Sequence, residues 1–287
     1  AVSLLYATLH LCGYDVSLGD LKSYRQIDSL TPGHPEFRHT PGIDAGSGPL
    51  GQGISQAVGL AIAEQSLAAN YIEGERLINH YTYVLCGDGG LQEGVSQEAI
   101  SLAGHQKLNK LILIYDSNNV TLDGDLDLSF SEDVKARFIA SEWDVIEVKN
   151  GNDMNEIDSA IQKAKKSKEK PTLIIVHTII GYGSINQGTS KVHGSPLGVD
   201  DGKHAKVDVY GFDHEDFYVP QEVYDYLNEN VVKKGRESKE KYLEELKRYE
   251  LDHAEEFARF KKLCLENDIS SYLPDEIPDF EDEIGRA

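Results

Sequence analysis

Two short polar segments, thirty residues apart, have the residue types of a metal site. Asp88 lies between two glycines, directly after a run of apolar and β-branched residues, and Asn118 follows the next such run. The flanking glycines allow a ligand to approach the main chain closely, because they carry no side chain. A carboxylate, an amide oxygen and a main-chain carbonyl are hard ligands that suit Mg²⁺ or Ca²⁺, and phosphate oxygens would complete the set. The pattern therefore predicts a metal-bridged diphosphate site.

Parallel strands are the elements that would bring these two segments together. Four short runs rich in β-branched and aromatic residues predict strands at Tyr81–Cys86, Leu111–Asp116, Trp143–Val148 and Thr172–Thr178. Near-continuous apolar runs are typical of strands buried on both faces, and the stretches between them have helical apolar spacing. The predicted fold class is α/β, a parallel sheet with helices on both faces. Ligands of such sheets bind beyond the carboxyl ends of the strands, so Asp88 and Asn118 are expected to share a crevice.

The chain is predicted to have three parts. Residues 1–219 form the α/β domain that binds the diphosphate and the metal. Residues 220–266 are rich in Lys and Glu with intermittent Tyr, Leu and Phe, which predicts a helical appendage. Residues 267–287 are acidic, contain proline and have little periodicity, so they are interpreted as a linker to a further domain. Because the helical pattern of Ala1–Leu11 has no capping residue, we expect the 287-residue chain to be part of a longer protein, truncated at both ends.

Composition limits the partners and the compartment. The chain has 49 acidic and 28 basic residues and a formal charge of −21, which disfavours nucleic acid and membrane surfaces as partners. No apolar run reaches the roughly 18 residues of a spanning helix. The three cysteines are widely separated, without a Cys-x-x-Cys pair, so neither a disulfide framework nor a zinc site is indicated. The predicted compartment is the cytoplasm.

Four segments, in order over roughly the first two hundred residues, resemble transketolase. They are Thr31-Pro32-Gly33-His34-Pro35-Glu36, Gly48-Pro49-Leu50-Gly51-Gln52-Gly53, Gly87-Asp88-Gly89 with Gln92-Glu93-Gly94, and Ile179-Ile180-Gly181-Tyr182-Gly183-Ser184 leading to His193-Gly194-Ser195-Pro196-Leu197-Gly198. The Gly-Asp-Gly segment with its later asparagine is similar to the signature of thiamine diphosphate enzymes. The resemblance implies transfer of a two-carbon ketol group from a ketose phosphate to an aldose phosphate, in the pentose phosphate pathway.

The resemblance also implies the ligands of a metal and of the diphosphate. Asp88, Asn118 and the carbonyl of Val120 would bind Mg²⁺ or Ca²⁺. Gly89 would supply a main-chain amide to the diphosphate, a role that suits a turn where amide dipoles converge. These four residues form the implied diphosphate end of the site.

Five further residues are similar to those that contact the rest of the cofactor or the substrate. Gly48 and Leu50 would meet the aminopyrimidine end of thiamine diphosphate, and Leu122 would line the cofactor. His34 and His193 are similar to the family's active-site histidines, and His193 would also contact the cofactor. An imidazole that titrates near neutrality suits proton donation and acceptance at sugar hydroxyls.

The implied partners are sugar phosphates and a second subunit. The resemblance implies a homodimer with active sites between subunits, in which Glu93 joins a carboxylate network across the interface. A simpler interpretation of Glu93 is an acid at a helix start that interacts with the helix dipole. The pyrimidine-binding domain of the partner subunit would carry the glutamate that activates the cofactor, and that domain would follow Ala287. We therefore expect little or no turnover from these 287 residues alone.

Three alternatives remain open at this stage. Another thiamine diphosphate enzyme, such as a decarboxylating dehydrogenase subunit or deoxyxylulose phosphate synthase, would share the metal motif but not the segments at residues 31–36 and 193–198. A naturally separate cofactor-binding subunit would be expected to begin with a histidine motif that is missing here. A non-catalytic interaction module would use the acidic helical tail, and binding without metal dependence would favour it.

Overall fold

A computed structural model describes residues 2–121, 124–266 and 268–269, apart from the side chain of Glu75. Its centre is a parallel sheet of four strands in the order β1-β2-β4-β3. The strands are β1 at Thr82–Gly87, β2 at Leu111–Ser117, β3 at Asp144–Val148 and β4 at Thr172–His177. All four predicted strands are confirmed, and their observed ends lie within one residue of the predicted ends.

Helices connect and flank the strands. They are α1 at Val2–Leu11, α2 at Leu18–Lys22, α3 at Gln52–Asn70, α4 at Asp88–Gln92, α5 at Gly94–His105, α6 at Val134–Ala140, α7 at Met154–Ala164, α8 at Val199–Lys203, α9 at Gln221–Leu227, α10 at Lys233–Asp252 and α11 at Ala254–Phe260. Short 3₁₀ turns lie at Gly74–Arg76, Leu126–Leu128 and Ser190–Val192, and π-helical segments at His204–Val209, Asn228–Val232 and Lys261–Leu265. In the part of the chain that the structure describes, no helix is both long and apolar enough to cross a membrane.

The side chains of β2 pack alternately on the two faces of the sheet. Leu111, Leu113 and Tyr115 lie in the core cluster formed with α3, α5 and α6. Ile112 is fully buried in the cluster formed with α7, and Ile114 packs against that cluster. Complete burial of one such side chain contributes about 1.5–3 kcal/mol, which explains why the strand is apolar along its length. The predicted α/β fold with helices on both faces is confirmed.

Helix α5 is held closely against the chain that follows α6. The indole nitrogen of Trp143 donates a 2.9 Å hydrogen bond to the carbonyl of Ile100. The ring of Trp143 meets that of Phe138 edge to face, with centroids 5.1 Å apart. A Cβ atom on Gly104 would lie 1.8 Å from the carbonyl oxygen of Ser141, so only glycine allows this approach. The packing positions α5, whose first turn borders the candidate site.

The C-terminal helices pack beyond the end of α3. Tyr249 of α10 and Phe260 of α11 are buried together with Tyr71 in a separate apolar cluster. The predicted helical character of residues 220–266 is confirmed, whereas the domain boundaries stay predictions. The predicted linker at 267–287 lies outside the described residues, apart from positions 268 and 269.

Candidate functional site

The register of the sheet places the ends of β1 and β2 side by side. Gly87 at the end of β1 pairs with Asp116, one residue before β2 ends. Asp88 then begins α4, and Asn118 directly follows β2. These two of the three predicted metal ligands therefore follow neighbouring parallel strands at the carboxyl edge of the sheet, where ligands bind in this class of fold.

Asp88 is a buried carboxylate with an unused oxygen. Its side chain is 3% exposed, and its Oδ1 accepts a hydrogen bond from the hydroxyl of Tyr115. Its Oδ2 is buried and has no hydrogen-bond partner among the described residues. Burial raises the pKa of Asp88, because desolvation disfavours the charged form, while the Tyr115 hydrogen bond opposes this rise. A cation at Oδ2 would compensate the buried charge.

A cavity of about 390 Å³ joins most of the predicted site residues. Its lining includes Leu50, Asp88, Gly89, Glu93, Val120 and His193, which come from four separate segments of the chain. The Cδ1 atom of Leu50 would be 3.1 Å from a Cβ atom on Gly89, so the leucine lies directly over that turn. The tertiary structure thus brings the second, third and fourth transketolase-like segments to one cavity.

Asn118 lies at a turn that borders a neighbouring cleft, and it is not among the residues that line the 390 Å³ cavity. Its Oδ1 accepts a 3.1 Å hydrogen bond from the amide of Val120, and Asn119 between them has a left-handed φ of 60°. Asn118 and Val120 both line the adjoining cleft of about 860 Å³, and Val120 lines the smaller cavity as well. Leu122, predicted to contact the cofactor, lies outside the described residues.

The loop that carries Gly48 and Leu50 packs closely against the start of α5. Gly51 has φ +80°, and a Cβ atom there would lie 2.7 Å from the Cβ of Glu93. Glycine is therefore required at Gly51 both for its conformation and for the close approach. Gly48 lies beneath His34, since a Cβ atom on Gly48 would be 3.7 Å from the imidazole ring.

The two predicted histidines lie in different surroundings. His193 is half-buried at the cavity, and its Nδ1 is buried without a hydrogen-bond partner among the described residues. His34 is exposed, contacts Gly48 and is not among the residues that line the 390 Å³ cavity. The structure therefore places only His193 directly at this cavity.

Glu93 is exposed at the rim of the cavity, at the position that precedes α5. Its side chain makes no capping hydrogen bond to that helix. The carboxylate therefore does not satisfy an amide of α5 by a hydrogen bond, and interaction with the helix dipole stays the simpler interpretation of its position.

Tyr115 belongs to the candidate site, although no motif in the sequence marks it. It is 3% exposed, and its hydroxyl contacts Asp88 from the neighbouring strand. The available signal was a hydroxyl-bearing aromatic residue near the end of an otherwise apolar strand. Its partner depends on the strand order and register, which one sequence does not specify.

The family assignment follows from comparisons with known proteins. A sequence profile described as "Transketolase, thiamine diphosphate binding domain" matches residues 1–268. The chain belongs to the transketolase family. This assignment excludes the alternative that the chain belongs to another family of thiamine diphosphate enzymes that shares the metal motif.

Two curated transketolases illustrate how much of the family's length the chain covers. It is 52% identical to the transketolase of Geobacillus stearothermophilus over 274 residues, which are 95% of this chain and 40% of that protein. It is 49% identical to the Bacillus subtilis transketolase over 282 residues, which are 97% of this chain and 42% of that protein. This transketolase-family chain therefore corresponds to less than half of those relatives.

Solved structures agree with the fold. The transketolase from Leishmania mexicana superposes with a TM-score of 0.87 at 46% identity, over 90% of this chain and 39% of that one. The transketolase from Campylobacter jejuni gives a TM-score of 0.80 at 47% identity, over 85% of this chain and 38% of that one. The α/β architecture of this chain is that of the transketolase family.

Proposed function

We propose that this chain forms the part of a transketolase that binds the diphosphate of its cofactor and a divalent metal. The proposed reaction transfers a two-carbon ketol group from a ketose phosphate to an aldose phosphate, in the cytoplasmic pentose phosphate pathway. The observation that carries the proposal is Oδ2 of Asp88, which is buried without a partner among the described residues, beside a cavity that Gly89 and Val120 also line. A buried carboxylate is costly unless a cation or a donor compensates it.

The donor set fits a hard divalent ion. Asp88 would supply a carboxylate oxygen, Asn118 an amide oxygen and Val120 a main-chain carbonyl, which are ligands of the kind that Mg²⁺ and Ca²⁺ prefer. The Asn118 oxygen already accepts one hydrogen bond and retains a second lone pair for a metal. Within the described residues, no group of three or more His, Cys, Asp or Glu is placed to hold a metal. The fit therefore rests on mixed oxygen donors, with phosphate oxygens completing the set.

The main chain beside Asp88 suits the diphosphate. Gly89 lines the cavity without a side chain that would separate a ligand from its amide. Amide groups at the start of a helical turn have no carbonyl partner within that turn, so they are available to an anion. Leu50 lies over the same turn and would orient the apolar part of the cofactor, next to Gly48.

When bound, thiamine diphosphate supplies an electron sink for carbon–carbon bond cleavage. The residues of this chain bind and orient it and move protons at the sugar. His193 has a buried Nδ1 without a partner in the described structure, so its ring has hydrogen-bonding capacity left for a substrate or the cofactor. His34 would act from its position next to Gly48. An imidazole serves either as proton donor or as acceptor near neutral pH.

The proposed assembly is a homodimer in which the partner subunit's pyrimidine-binding domain completes the site. The exposed carboxylate of Glu93 supports this arrangement, because it lies at the cavity rim and does not cap α5. It is available to join a carboxylate network across the interface. The proposed partners are thus a second subunit and the sugar phosphates.

Calorimetric titration with thiamine diphosphate tests the proposal. The complete gene product that carries this sequence would be titrated with and without Mg²⁺, as wild type and as Asp88→Ala. Asp158→Ala is the matched control, since Asp158 is an exposed aspartate on α7, on the other face of the sheet. We expect Mg²⁺-dependent binding that only Asp88→Ala abolishes. Binding that is independent of Mg²⁺ and of Asp88 would contradict the proposed site and favour a non-catalytic module.

A further inference from the structure

Side chains of α5 hold the turn that carries the proposed diphosphate contacts. Helix α4 has only five residues, so its last carbonyls have no following helical turn to bond them. The hydroxyl of Ser96 donates a 2.5 Å hydrogen bond to the carbonyl of Gly90. The side-chain amide of Gln97 donates a 2.5 Å hydrogen bond to the carbonyl of Leu91. Both carbonyls are therefore held by the first turn of α5.

Arg137 of α6 determines how Gln97 is oriented. Its Nη1 donates a 2.5 Å hydrogen bond to the Oε1 of Gln97. A guanidinium has donors only, so it must face the oxygen of the glutamine amide, and the NH₂ group of Gln97 is left to face Leu91. An asparagine or glutamine amide without such a neighbour could rotate its oxygen toward the carbonyl, which would remove the hydrogen bond.

The surroundings of Arg137 hold its side chain in this position. The guanidinium lies 5.9 Å from the ring centroid of Phe130 and 5.8 Å from that of Phe138, and it forms a 2.9 Å ion pair with Glu132. Only 19% of the Arg137 side chain is exposed. Its Nε and Nη2 are buried without hydrogen-bond partners among the described residues. Buried, unpaired donors reduce stability, which argues that this arginine contributes something other than stability.

We propose that Arg137 is a positioning residue for cofactor binding, acting through Gln97 on the carbonyl of Leu91. With its carbonyl end held, the turn at Asp88–Gln92 presents its amide end to the cavity before the ligand arrives. Preorganisation of this kind raises affinity because less ordering remains to be done on binding. The inference rests on the proposed function. Arg137 is not among the residues that line the 390 Å³ cavity, so its effect is indirect.

A double-mutant cycle on the complete gene product tests the proposal. Arg137→Met, Gln97→Leu and the double variant would be titrated with thiamine diphosphate at saturating Mg²⁺, and the Tm of each cofactor-free protein would be measured. Each single substitution is expected to raise the Kd about tenfold, the lower end of the effects seen for residues that orient ligand groups. The double variant should lie within about twofold of either single variant, because both substitutions break the same chain of contacts.

The cycle separates positioning from a purely structural role. Loss of stability alone would lower the Tm without coupling in the Kd. Arg137→Lys keeps one donor for Gln97 and should recover part of the affinity. The matched control is Arg259→Met, which removes another arginine paired with a glutamate, Glu256, on α11. This control should leave the Kd unchanged.

Two outcomes would overturn the inference. The first is a Kd for Gln97→Leu equal to that of the wild type. The second is a Kd of the double variant that equals the product of the two single effects. The first of these remains decisive if Arg137→Met does not fold. The proposed function fails separately: in that case the wild type shows no Mg²⁺-dependent binding, or Asp88→Ala binds as well as the wild type.

Discussion

The hydroxyl of Tyr115 on β2 donates a hydrogen bond to Oδ1 of Asp88, the residue that follows β1. This contact links the ends of two neighbouring strands through one carboxylate. It occupies one oxygen of Asp88 and leaves the other without a partner among the described residues. Because the hydrogen bond favours the ionised carboxylate, Tyr115 opposes the effect of burial on the pKa of Asp88. We therefore expect Tyr115 to support metal binding without contacting the metal.

Removal of the Tyr115 hydroxyl should weaken cofactor binding. Tyr115→Phe keeps the buried ring and loses the hydrogen bond to Asp88. The expected change is about a tenfold rise in the Kd of thiamine diphosphate at fixed Mg²⁺, since a hydrogen bond to a charged group contributes about 1.5 kcal/mol. Calorimetry on the complete gene product measures it. Tyr83→Phe, at an exposed position on β1, is the control, and equal Kd values for the two variants would refute the prediction.

The stability of the cofactor-free and metal-free protein should depend on pH through Asp88. Burial raises the pKa of Asp88 in the folded protein above the unfolded value of about 3.9. The folded state therefore binds more protons than the unfolded state, and stability falls as pH rises from the unfolded pKa through the folded pKa. Asn cannot ionise, so Asp88→Asn should gain stability over wild type in this interval and keep the gain at higher pH. Urea unfolding at several pH values measures the difference.

Asp20 is the control of opposite sign. Hydrogen bonds from the side chain and main chain of Ser17 lower the pKa of Asp20. Its contribution to stability is present above the unfolded pKa and is lost as pH falls through the folded pKa. Asp20→Asn should therefore be less stable than wild type at neutral pH, with a difference that disappears in acid. The Asp88 prediction is wrong if both variants change stability in the same direction at neutral pH.

Two glycine substitutions should have opposite effects on stability. Gly51→Ala places a side chain at φ +80° and 2.7 Å from the Cβ of Glu93. The left-handed conformation alone costs about 1–2 kcal/mol, and the contact would also displace the loop that carries Leu50. Gly59→Ala lies on the exposed side of α3 with nothing within 4 Å, and should stabilise by about 0.5–1 kcal/mol. Thermal unfolding of both variants checks the two signs, and stabilisation by Gly51→Ala would contradict the observed loop packing.

Replacement of His193 should reduce turnover more than stability. Its Nδ1 is buried without a partner among the described residues, so His193→Ala removes a polar group that contributes no hydrogen bond to the fold. Loss of a proton-transferring group typically lowers kcat about 100-fold or more. The measurement combines steady-state kinetics with the Tm of each variant. His105→Ala, at an exposed position in the last turn of α5, should leave kcat unchanged. A large loss of Tm with normal kcat would assign His193 a structural role.

Much of the fold was predictable because its causes are local. The apolar run at Leu111–Ser117 indicated a strand buried on both faces, and β2 packs on both faces as that pattern requires. The position of Asp88 and Asn118 directly after neighbouring strands was enough to predict that both lie at one edge of the sheet, because parallel strands end at the same edge. The glycines at Gly51 and Gly89 marked places where other side chains approach the main chain closely.

The tertiary structure decided which residues those local elements bring into contact. Adjacency of β1 and β2 places Tyr115 against Asp88, and the packing of α5 on α6 places Arg137 on Gln97. It also gives the two histidines different surroundings, since His193 lines the 390 Å³ cavity and His34 does not. The residue types, their spacing and the elements that carry them were therefore determined by the sequence alone. The contacts between distant segments were not determined in this way, because they depend on strand order, register and helix packing. One local pattern of strands and helices is compatible with several strand orders, registers and packings.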